Sequence, residues 1–179
     1  MSKLGKKLMM IPKDTKVKLE NRKLIFTGPK GSRELTLNDK IFTTTIDGDK
    51  SLTLKPIKKN ETSNVLWGTT RSIINSALIG VSEGYEKILE LNGVGFRAIL
   101  KGNILDLQLG YSHIISYKIP DGIKLIVEKS TTIKISGIDK HLVGKVSSEI
   151  KMLKPVEPYK AKGIKEKGQY VLRKEGKKK

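Results

Sequence analysis

The chain has 179 residues, enough for one medium-sized domain or two small ones, and hydrophobic residues make up 37% of it, which supports a folded core. Its 36 Lys and Arg outnumber 18 Asp and Glu, and the resulting net charge of +18 predicts a polyanionic partner, RNA or DNA. The absence of cysteine excludes disulfides, thiolate catalysis and cysteine-based zinc sites. No apolar run approaches the length of a membrane span, so no membrane partner is expected.

The positive charge is concentrated at the two ends of the chain. Residues 1–23 carry a net charge of +6, and the last 26 residues, Lys154–Lys179, carry +7. The 130 residues between them carry only +5. This distribution predicts an ordinary globular body with two basic ends.

The first half of the chain alternates between apolar and polar residues and then changes to a helical period. Alternation predicts strands at Lys23–Thr27, Glu34–Leu37 and Ser51–Lys55, with turns at Gly28–Gly31 and Asp47–Asp49. From Thr62 to Leu78 the apolar residues fall on one face of a helix. Asn60 or Thr62 is expected to cap its start, and Gly80 or Gly84 to end it.

The same order of elements recurs in the second half. Alternation predicts strands at Glu86–Leu91, Phe96–Leu100, Asn103–Leu109, Ile114–Ile119, Ile123–Val127 and Thr132–Ser136. A helix capped by Asp139 follows and must end before Pro155, since proline cannot continue a helix.

This recurrence predicts two copies of one structural unit. The expected fold is α+β, with two similar tandem domains, each an antiparallel sheet with a helix packed on one face, followed by a basic C-terminal tail. The expected boundaries are residues 1–82, 83–154 and 155–179.

Gly93–Ala98 matches the dinucleotide-binding pattern G-x-G-x-x-A. That site requires a helix to begin at the third small residue, whereas Phe96–Leu100 is predicted to be a strand. A bend or bulge at these glycines is therefore the better interpretation.

Other residues that could take part in catalysis or ligand binding are isolated in the sequence. No H-x-x-x-H pair or nearby carboxylate cluster accompanies His113 or His141 in the sequence, and surface contacts are the favoured interpretation. Trp67 is expected to be a core or inter-domain anchor rather than a stacking platform. The helix start at Lys140-His141 suits either a phosphate or plain solvent. No catalytic triad, carboxylate pair or phosphate-binding loop is present, so we expect neither an enzyme nor a cofactor, metal or small-molecule substrate.

The tail from Lys154 onward is predicted to bind nucleic acid. Its charge density argues against folding on itself, because like charges repel and little apolar area is available. Removing Pro155–Lys179 is therefore expected to leave a folded body. Rigid and apolar residues such as Pro158, Tyr159 and Tyr170 nevertheless suggest that part of the tail docks on a partner.

The segment Val156–Lys165, VEPYKAKGIK, resembles the P-E-P-Y-K-G-K-G-[IV]-[RK] signature of bacterial-type ribosomal protein six of the large subunit. The likeness extends over nearly the whole chain, through Met1–Pro12, Gly68–Arg71, Ile79–Gly84, Val94–Ala98, Leu109–His113 and Asp139-Lys140. Three positions depart from the pattern: Val156 replaces a proline, Ala161 a glycine, and Glu166 an aromatic residue.

The resemblance implies a structural constituent of the large ribosomal subunit that binds its rRNA near the sarcin–ricin loop and the stalk base. It implies rRNA contacts at Tyr159, Lys160, Lys162, Lys165 and the cations that follow, Lys167, Arg173, Lys174, Lys177 and Lys178. The turn residues Gly110, Ser112 and His113 and the helix start at Lys140 and His141 are further candidates. Neighbouring ribosomal proteins and translation GTPases are the implied surroundings, on a ribosome in a bacterial cytoplasm, a mitochondrion or a plastid.

A second class of function is a free RNA-binding chaperone or regulator acting off the ribosome. Such a protein would exchange among RNAs, with binding that weakens steeply as salt rises.

Overall fold

A computed structural model describes residues 5–20, 22–47, 50–58 and 60–176. The chain divides into two compact units. Unit 1 comprises the residues up to Gly84 together with Ile138–Lys140, and unit 2 comprises Tyr85–Gly137 and the residues from His141 onward. The described helices include none that is long and apolar enough to cross a membrane.

The described residues of unit 1 form two antiparallel sheets and one helix. Its strands are β1 (Met9–Met10), β2 (Lys16–Glu20), β3 (Lys23–Gly28), β4 (Gly31–Thr36), β5 (Phe42–Asp47) and β6 (Ser51–Pro56), and its helix is α1 (Glu61–Ser82). One sheet has the order β2-β3-β4 and the other the order β1-β6-β5. The turn predicted at Gly28–Gly31 joins β3 to β4, whereas Gly48 and Asp49 of the second predicted turn lie outside the described residues.

Alternation along the strands builds the core of unit 1. Leu24 and Phe26 of β3 and Leu52 and Leu54 of β6 are all buried against α1. Trp67 of α1 is buried in the same core and donates from its indole Nε1 to the carbonyl oxygen of Leu54 at 2.8 Å. The prediction of a structural tryptophan is therefore confirmed, as a core residue of unit 1.

The ends of α1 follow the predicted chemistry. Asn60 occupies the N-cap position, and its backbone N–H donates to Ser63 Oγ at 3.0 Å. At the other end, Gly84 has a φ of +82°, and its N–H donates to the carbonyl of Ile79 at 3.1 Å. Glycine is favoured there because a left-handed residue that ends a helix has no Cβ to clash.

Unit 2 repeats the plan, with seven strands and one helix in the part of it that the structure describes. Its strands are β7 (Tyr85–Asn92), β8 (Arg97–Lys101), β9 (Ile104–Gln108), β10 (Ile115–Lys118), β11 (Ile123–Glu128), β12 (Thr132–Gly137) and β13 (Gly163–Glu166), and its helix is α2 (Lys140–Leu153). One antiparallel sheet has the order β11-β12-β7-β13 and the other the order β10-β9-β8.

The core of unit 2 lies between these sheets and α2. Leu89, Ile133 and Ile135 of the larger sheet pack with Leu105 and Leu107 of the smaller one, and α2 contributes Val143, Val146 and Ile150. Tyr117 of β10 donates to a carboxylate oxygen of Glu149 of α2 at 2.5 Å. Burial, together with this carboxylate, raises the pKa of Tyr117 well above its usual value.

The predicted α+β class is confirmed, with antiparallel sheets and one packed helix in each unit, although each unit has two small sheets rather than one. Strand β8 follows the glycine pair at Gly93 and Gly95, as the rejection of a dinucleotide site required. Strands β1, β2, β5 and β13 were not predicted from the sequence. Strands β1 and β13 are short, and β2 alternates cations with only two apolar residues.

Candidate nucleic-acid interface

The chain reverses direction immediately after α2 and forms a closed loop, which we call the tail loop (residues 154–164). The N–H of Ile164 donates to the carbonyl of Lys154 at 2.9 Å, and the N–H of Glu157 donates to the carbonyl of Lys162 at 2.8 Å. These bonds tie its two arms together and leave Pro158–Ala161 as the tip of the loop. Tyr159 and Lys160 at this tip are exposed, and so is Lys162.

Two residues of the tail loop have positive φ angles. Gly163 has a φ of +138°, and a Cβ built on it would lie 2.7 Å from the carbonyl oxygen of Pro155. Ala161 has a φ of +56°, a left-handed conformation that favours glycine. The departure of Ala161 from the signature therefore falls at a position where glycine would be less strained.

Beyond the tail loop, the tail enters the core of unit 2. Strand β13 pairs antiparallel with β7, from Gly163 opposite Asn92 to Glu166 opposite Leu89. Ile164 has no exposed surface and packs in the core of the unit. The expectation that the tail does not fold on itself is wrong for this part, because one buried isoleucine and a strand's hydrogen bonds outweigh the repulsion among nearby cations. Removal of Pro155–Lys179 would therefore also remove β13 and the buried Ile164 from unit 2.

Glu166 anchors β13 to its surroundings. Its carboxylate accepts hydrogen bonds from Lys151 of α2 at 3.2 Å and from Lys87 of β7 at 3.3 Å. The hydrogen bond from Lys151, followed by that from Lys87, lowers the pKa of Glu166 and outweighs the opposing effect of burial. Where the family signature has an aromatic residue, this chain therefore has a charged side chain bound within unit 2.

Lys165 and Lys167 differ in what they offer to a partner. The ammonium group of Lys165 lies 3.2 Å from a carboxylate oxygen of Glu90, and 27% of its side chain is exposed. Lys167 is exposed, and its N–H donates to the carbonyl of Ile88 at 2.9 Å. Lys165 can thus bind a phosphate only by releasing or sharing Glu90, whereas Lys167 extends into solvent.

The chain returns to the tail loop after β13. The N–H of Lys174 donates to the carbonyl of Pro158 at 2.9 Å. Because consecutive Cα atoms are about 3.8 Å apart, this bond brings Arg173 and Lys174 close to Tyr159 and Lys160. All four are exposed and together form what we call the tip cluster. Lys177 and Lys178 lie outside the described residues.

The turn at Gly110–His113 lies against the root of the tail. The hydroxyl of Tyr111 donates to the carbonyl of Leu153 at 3.1 Å, and the ammonium nitrogen of Lys154 lies 4.1 Å from the centre of the Tyr111 ring. This cation–π contact fixes a positive charge between the turn and the tail loop. The turn itself is exposed at Gly110, Ser112 and His113.

Tyr111 and Lys154 were not among the rRNA-binding residues predicted from the sequence. Tyr111 stands between two named turn residues, but no sequence signal indicates that its ring meets a lysine 43 positions later. The contact between Glu166 and Lys87 could not be predicted from the sequence either, because it depends on the pairing of β13 with β7.

Lys140 and His141 lie apart from the tail. They begin α2, whose other end is Leu153, and a helix rises about 1.5 Å per residue, so roughly 20 Å separates them from the root of the tail. Both are exposed, and the first turn of α2 has no acidic residue. The structure therefore gives this pair a separate location rather than a place in the tip cluster.

The described residues contain no group of three or more His, Asp or Glu side chains that could hold a metal ion. The tip cluster consists of three cations and one exposed tyrosine, Tyr159. Such groups bind phosphates and stack on bases or sugars.

Comparison with known proteins agrees with the tandem architecture. The family model described as "Ribosomal protein L6" matches residues 11–84 and 92–167. Over 179 residues the chain is 44% identical to "Large ribosomal subunit protein uL6" of Sphingopyxis alaskensis, with 100% of both chains covered. It is 45% identical to proteins of the same name from Nautilia profundicola and Staphylococcus saprophyticus, with 99% of this chain and 98% of each relative covered.

Proposed function

The chain belongs to the ribosomal protein L6 family, and on this premise we propose that it is a non-catalytic structural component of the large ribosomal subunit whose tail binds large-subunit rRNA. The observation that carries the proposal is the tip cluster, where a hydrogen bond between Lys174 and Pro158 brings three cations and Tyr159 together at an exposed loop.

The tip cluster supports recognition of folded RNA by shape. Lys160, Arg173 and Lys174 neutralise backbone phosphates, which supplies affinity but no base sequence information. Tyr159 stacks on an unpaired base or a ribose. Since the tail loop is closed by its own hydrogen bonds, these groups are held in place before binding, which lowers the entropy lost on association.

Further contacts extend from this cluster. Lys162, Lys165 and Lys167 continue the positive surface along the tail, and Lys165 exchanges its ion pair with Glu90 for a phosphate. The turn residues Gly110, Ser112 and His113 contribute a second contact at the root of the tail. Tyr111 holds this turn in place, because its hydroxyl donates to the carbonyl of Leu153 and its ring contacts Lys154. Lys140 and His141 form a separate contact, where the positive end of the α2 dipole favours a phosphate.

We place this interface near the sarcin–ricin loop and the stalk base, where translation GTPases act, with other ribosomal proteins as neighbours. The support is the resemblance of Val156–Lys165 to the family signature. The named relatives are bacterial, which favours a bacterial ribosome. An organellar ribosome is the alternative.

Sedimentation of tagged variants with large subunits tests the proposal. Replacing Lys160, Arg173 and Lys174 by Glu should abolish co-sedimentation, because three attractive phosphate contacts become repulsive. The matched control replaces Lys16, Lys18 and Lys124, which are exposed on β2 and β11, by Glu and causes the same change in net charge. Equal loss in both variants would show that overall charge, and not the tip cluster, holds the protein on the ribosome.

The same gradients separate a ribosomal component from a free RNA-binding regulator. A structural component stays with the large subunit when extracts are sedimented in high salt, whereas a protein that exchanges among RNAs moves to the soluble fractions. Recovery of the wild-type protein only in those fractions would favour the regulator.

A further inference from the structure

The solvent-facing side of the smaller sheet of unit 2 has an unusual composition, and we call it the isoleucine face. The strand register aligns its residues in three rows: Arg97 with Gln108, Ile99 with Asp106 and Ser116, and Lys101 with Ile104 and Lys118. The opposite side of the same strands contributes Ala98, Leu105 and Leu107 to the core. The face is thus the outward half of a two-sided sheet.

Two large apolar side chains are exposed on this face, in neighbouring rows. Ile99 and Ile104 are each 45% exposed and lie on neighbouring strands, β8 and β9. An exposed isoleucine is unremarkable alone, but two on adjacent strands, bordered by polar groups, form a patch from which a partner could displace water.

The charge on the isoleucine face is positive. The carboxylate of Asp106 accepts a hydrogen bond from Ser116 at 2.7 Å and lies 2.9 Å from the ammonium group of Lys101, so its charge is already compensated. Arg97 and Lys118 form no ion pair with any described residue. The cations Arg97, Lys101 and Lys118 and the single carboxylate of Asp106 therefore give the isoleucine face a net charge of +2.

We propose that the isoleucine face binds a short, extended protein segment in which acidic and apolar residues occupy every second position. Because successive side chains of an extended strand point to opposite sides, the side chains at these positions all face the sheet, about 6.6 Å apart. The acidic ones would pair with Arg97 and Lys118, while the apolar ones cover Ile99 and Ile104. The face is three strands wide, and so small an interface corresponds to a weak, transient association.

Other occupants fit this face less well. Bases bind to sheets by stacking on aromatic rings, and the isoleucine face presents none. A second copy of this chain would bring another net charge of +18 and be repelled. An acidic and apolar segment complements both features of the face at once.

The test uses the isotopically labelled full-length protein with its tail first saturated by oligouridine, which occupies the cationic tip. A short peptide is then added in which Asp and Ile take turns at every second position, with Ser between them, and amide chemical shifts are followed by NMR. The peptide should shift amides of β8, β9 and β10, and a peptide with Lys in place of Asp should not.

Two double variants and one control quantify the binding. I99S/I104S removes the apolar contacts, and R97E/K118E reverses the charge. Each double variant should lower the affinity for the peptide by at least about tenfold, a change that corresponds to the loss of one well-buried side chain. The control I126S/K124E makes the same kinds of change on β11, where Ile126 is 54% exposed, and should leave the affinity unchanged.

Three results would overturn the inference: peptide shifts that map elsewhere, an equal loss of affinity in the control, or oligouridine shifts on β8–β10 that identify the face as an RNA site. The inference does not depend on rRNA binding by the tail. Failure of oligouridine to shift the tail, with peptide binding intact, would count against the proposed function alone.

Discussion

The carboxylate of Glu166 lies 3.2 Å from the ammonium nitrogen of Lys151 and thereby joins the last strand of the chain to helix α2. A second lysine, Lys87, reaches the same carboxylate from β7. One acidic side chain therefore connects three elements of unit 2 at the point where the tail meets the body. The first part of the tail is a loop that starts at α2 and ends in the core at β13, with Lys160 and Lys162 displayed between these two anchors. Arg173 and Lys174 follow β13 and return to the loop through the hydrogen bond from Lys174 to Pro158.

Replacing Glu166 by Gln should weaken this anchor modestly. Its side chain is 34% exposed, so the ion pairs contribute less than about 1 kcal/mol to the free energy of unfolding. Because the pKa of Glu166 is lowered on folding, its contribution is fully present above the ordinary value of 4.5 and is lost as pH falls through the folded-state value. Urea denaturation of both proteins checks this: the difference in unfolding free energy should be constant above about pH 5 and should shrink below pH 4.5. A difference that grows on acidification would contradict the assignment.

Replacing Ile164 by Ala should destabilise unit 2 by about 2–4 kcal/mol, since the side chain is fully buried and its removal leaves a cavity. The matched control is Ile126→Ala, which truncates a side chain that is 54% exposed and should cost far less. Denaturant unfolding followed by circular dichroism measures both. Equal, small effects would mean that β13 is not part of the core.

Replacing Ala161 by Gly should stabilise the tail loop by about 1 kcal/mol, because the left-handed conformation at φ +56° penalises a Cβ. Gly163→Ala tests the neighbouring position in the opposite direction. Its new Cβ would meet the Pro155 carbonyl at 2.7 Å, and a loss of at least about 2 kcal/mol is expected. Thermal denaturation gives the Tm of the three proteins. A lower Tm for Ala161→Gly than for wild type would show that the backbone at Ala161 is not strained.

Replacing Tyr111 by Phe should have a smaller effect than replacing it by Ala. Phenylalanine retains the ring beneath Lys154 and loses only the hydrogen bond to the Leu153 carbonyl, whereas alanine loses both. A cation–π contact at an exposed site contributes about 0.5–1 kcal/mol. The Lys154 side-chain resonances in NMR spectra report the ring current directly. Their upfield shift should persist in the Phe variant and vanish in the Ala variant, and identical spectra would exclude the contact.

Much of this architecture follows from local pattern. Buried apolar residues at alternate positions indicated strands such as β3, β6, β9 and β12, and the period change after Asn60 indicated α1. The short strands were not predictable in this way. Gly163–Glu166 contains a single fully apolar residue among two charges, and it becomes a strand only because β7 offers an unpaired edge.

The candidate site shows the same division. Charge density and the family signature indicated Tyr159, Lys160 and the later cations, because those signals are local in sequence. The contacts that arrange them, Lys174 with Pro158 and Tyr111 with Lys154, join residues whose proximity depends on the tertiary fold. In the sequence, Glu166 was only a departure from the family signature, a charged residue in place of an aromatic one that could stack on RNA. The pairing of β13 with β7 is what gives it the role of an anchor.

Salt dependence offers a measure of the phosphate contacts. Replacing Lys160, Arg173 and Lys174 by Ala should lower the slope of log K against log salt by about 2–3 in magnitude for binding to a large-subunit rRNA fragment, roughly 0.7–0.9 per contact. Fluorescence anisotropy across a salt series gives the slopes. The matched variant with Ala at Lys16, Lys18 and Lys124 should retain the wild-type slope, and a similar reduction in both would argue against localised contacts.

The central claim, that the tip cluster lies on large-subunit rRNA, is tested most directly by crosslinking from position 160. A photoreactive amino acid replaces Lys160, the protein is incorporated into large subunits, and the crosslinked partner is identified after irradiation. The account predicts a covalent product with large-subunit rRNA in the region of the sarcin–ricin loop and the stalk base. A product confined to protein, or to rRNA remote from that region, would contradict it.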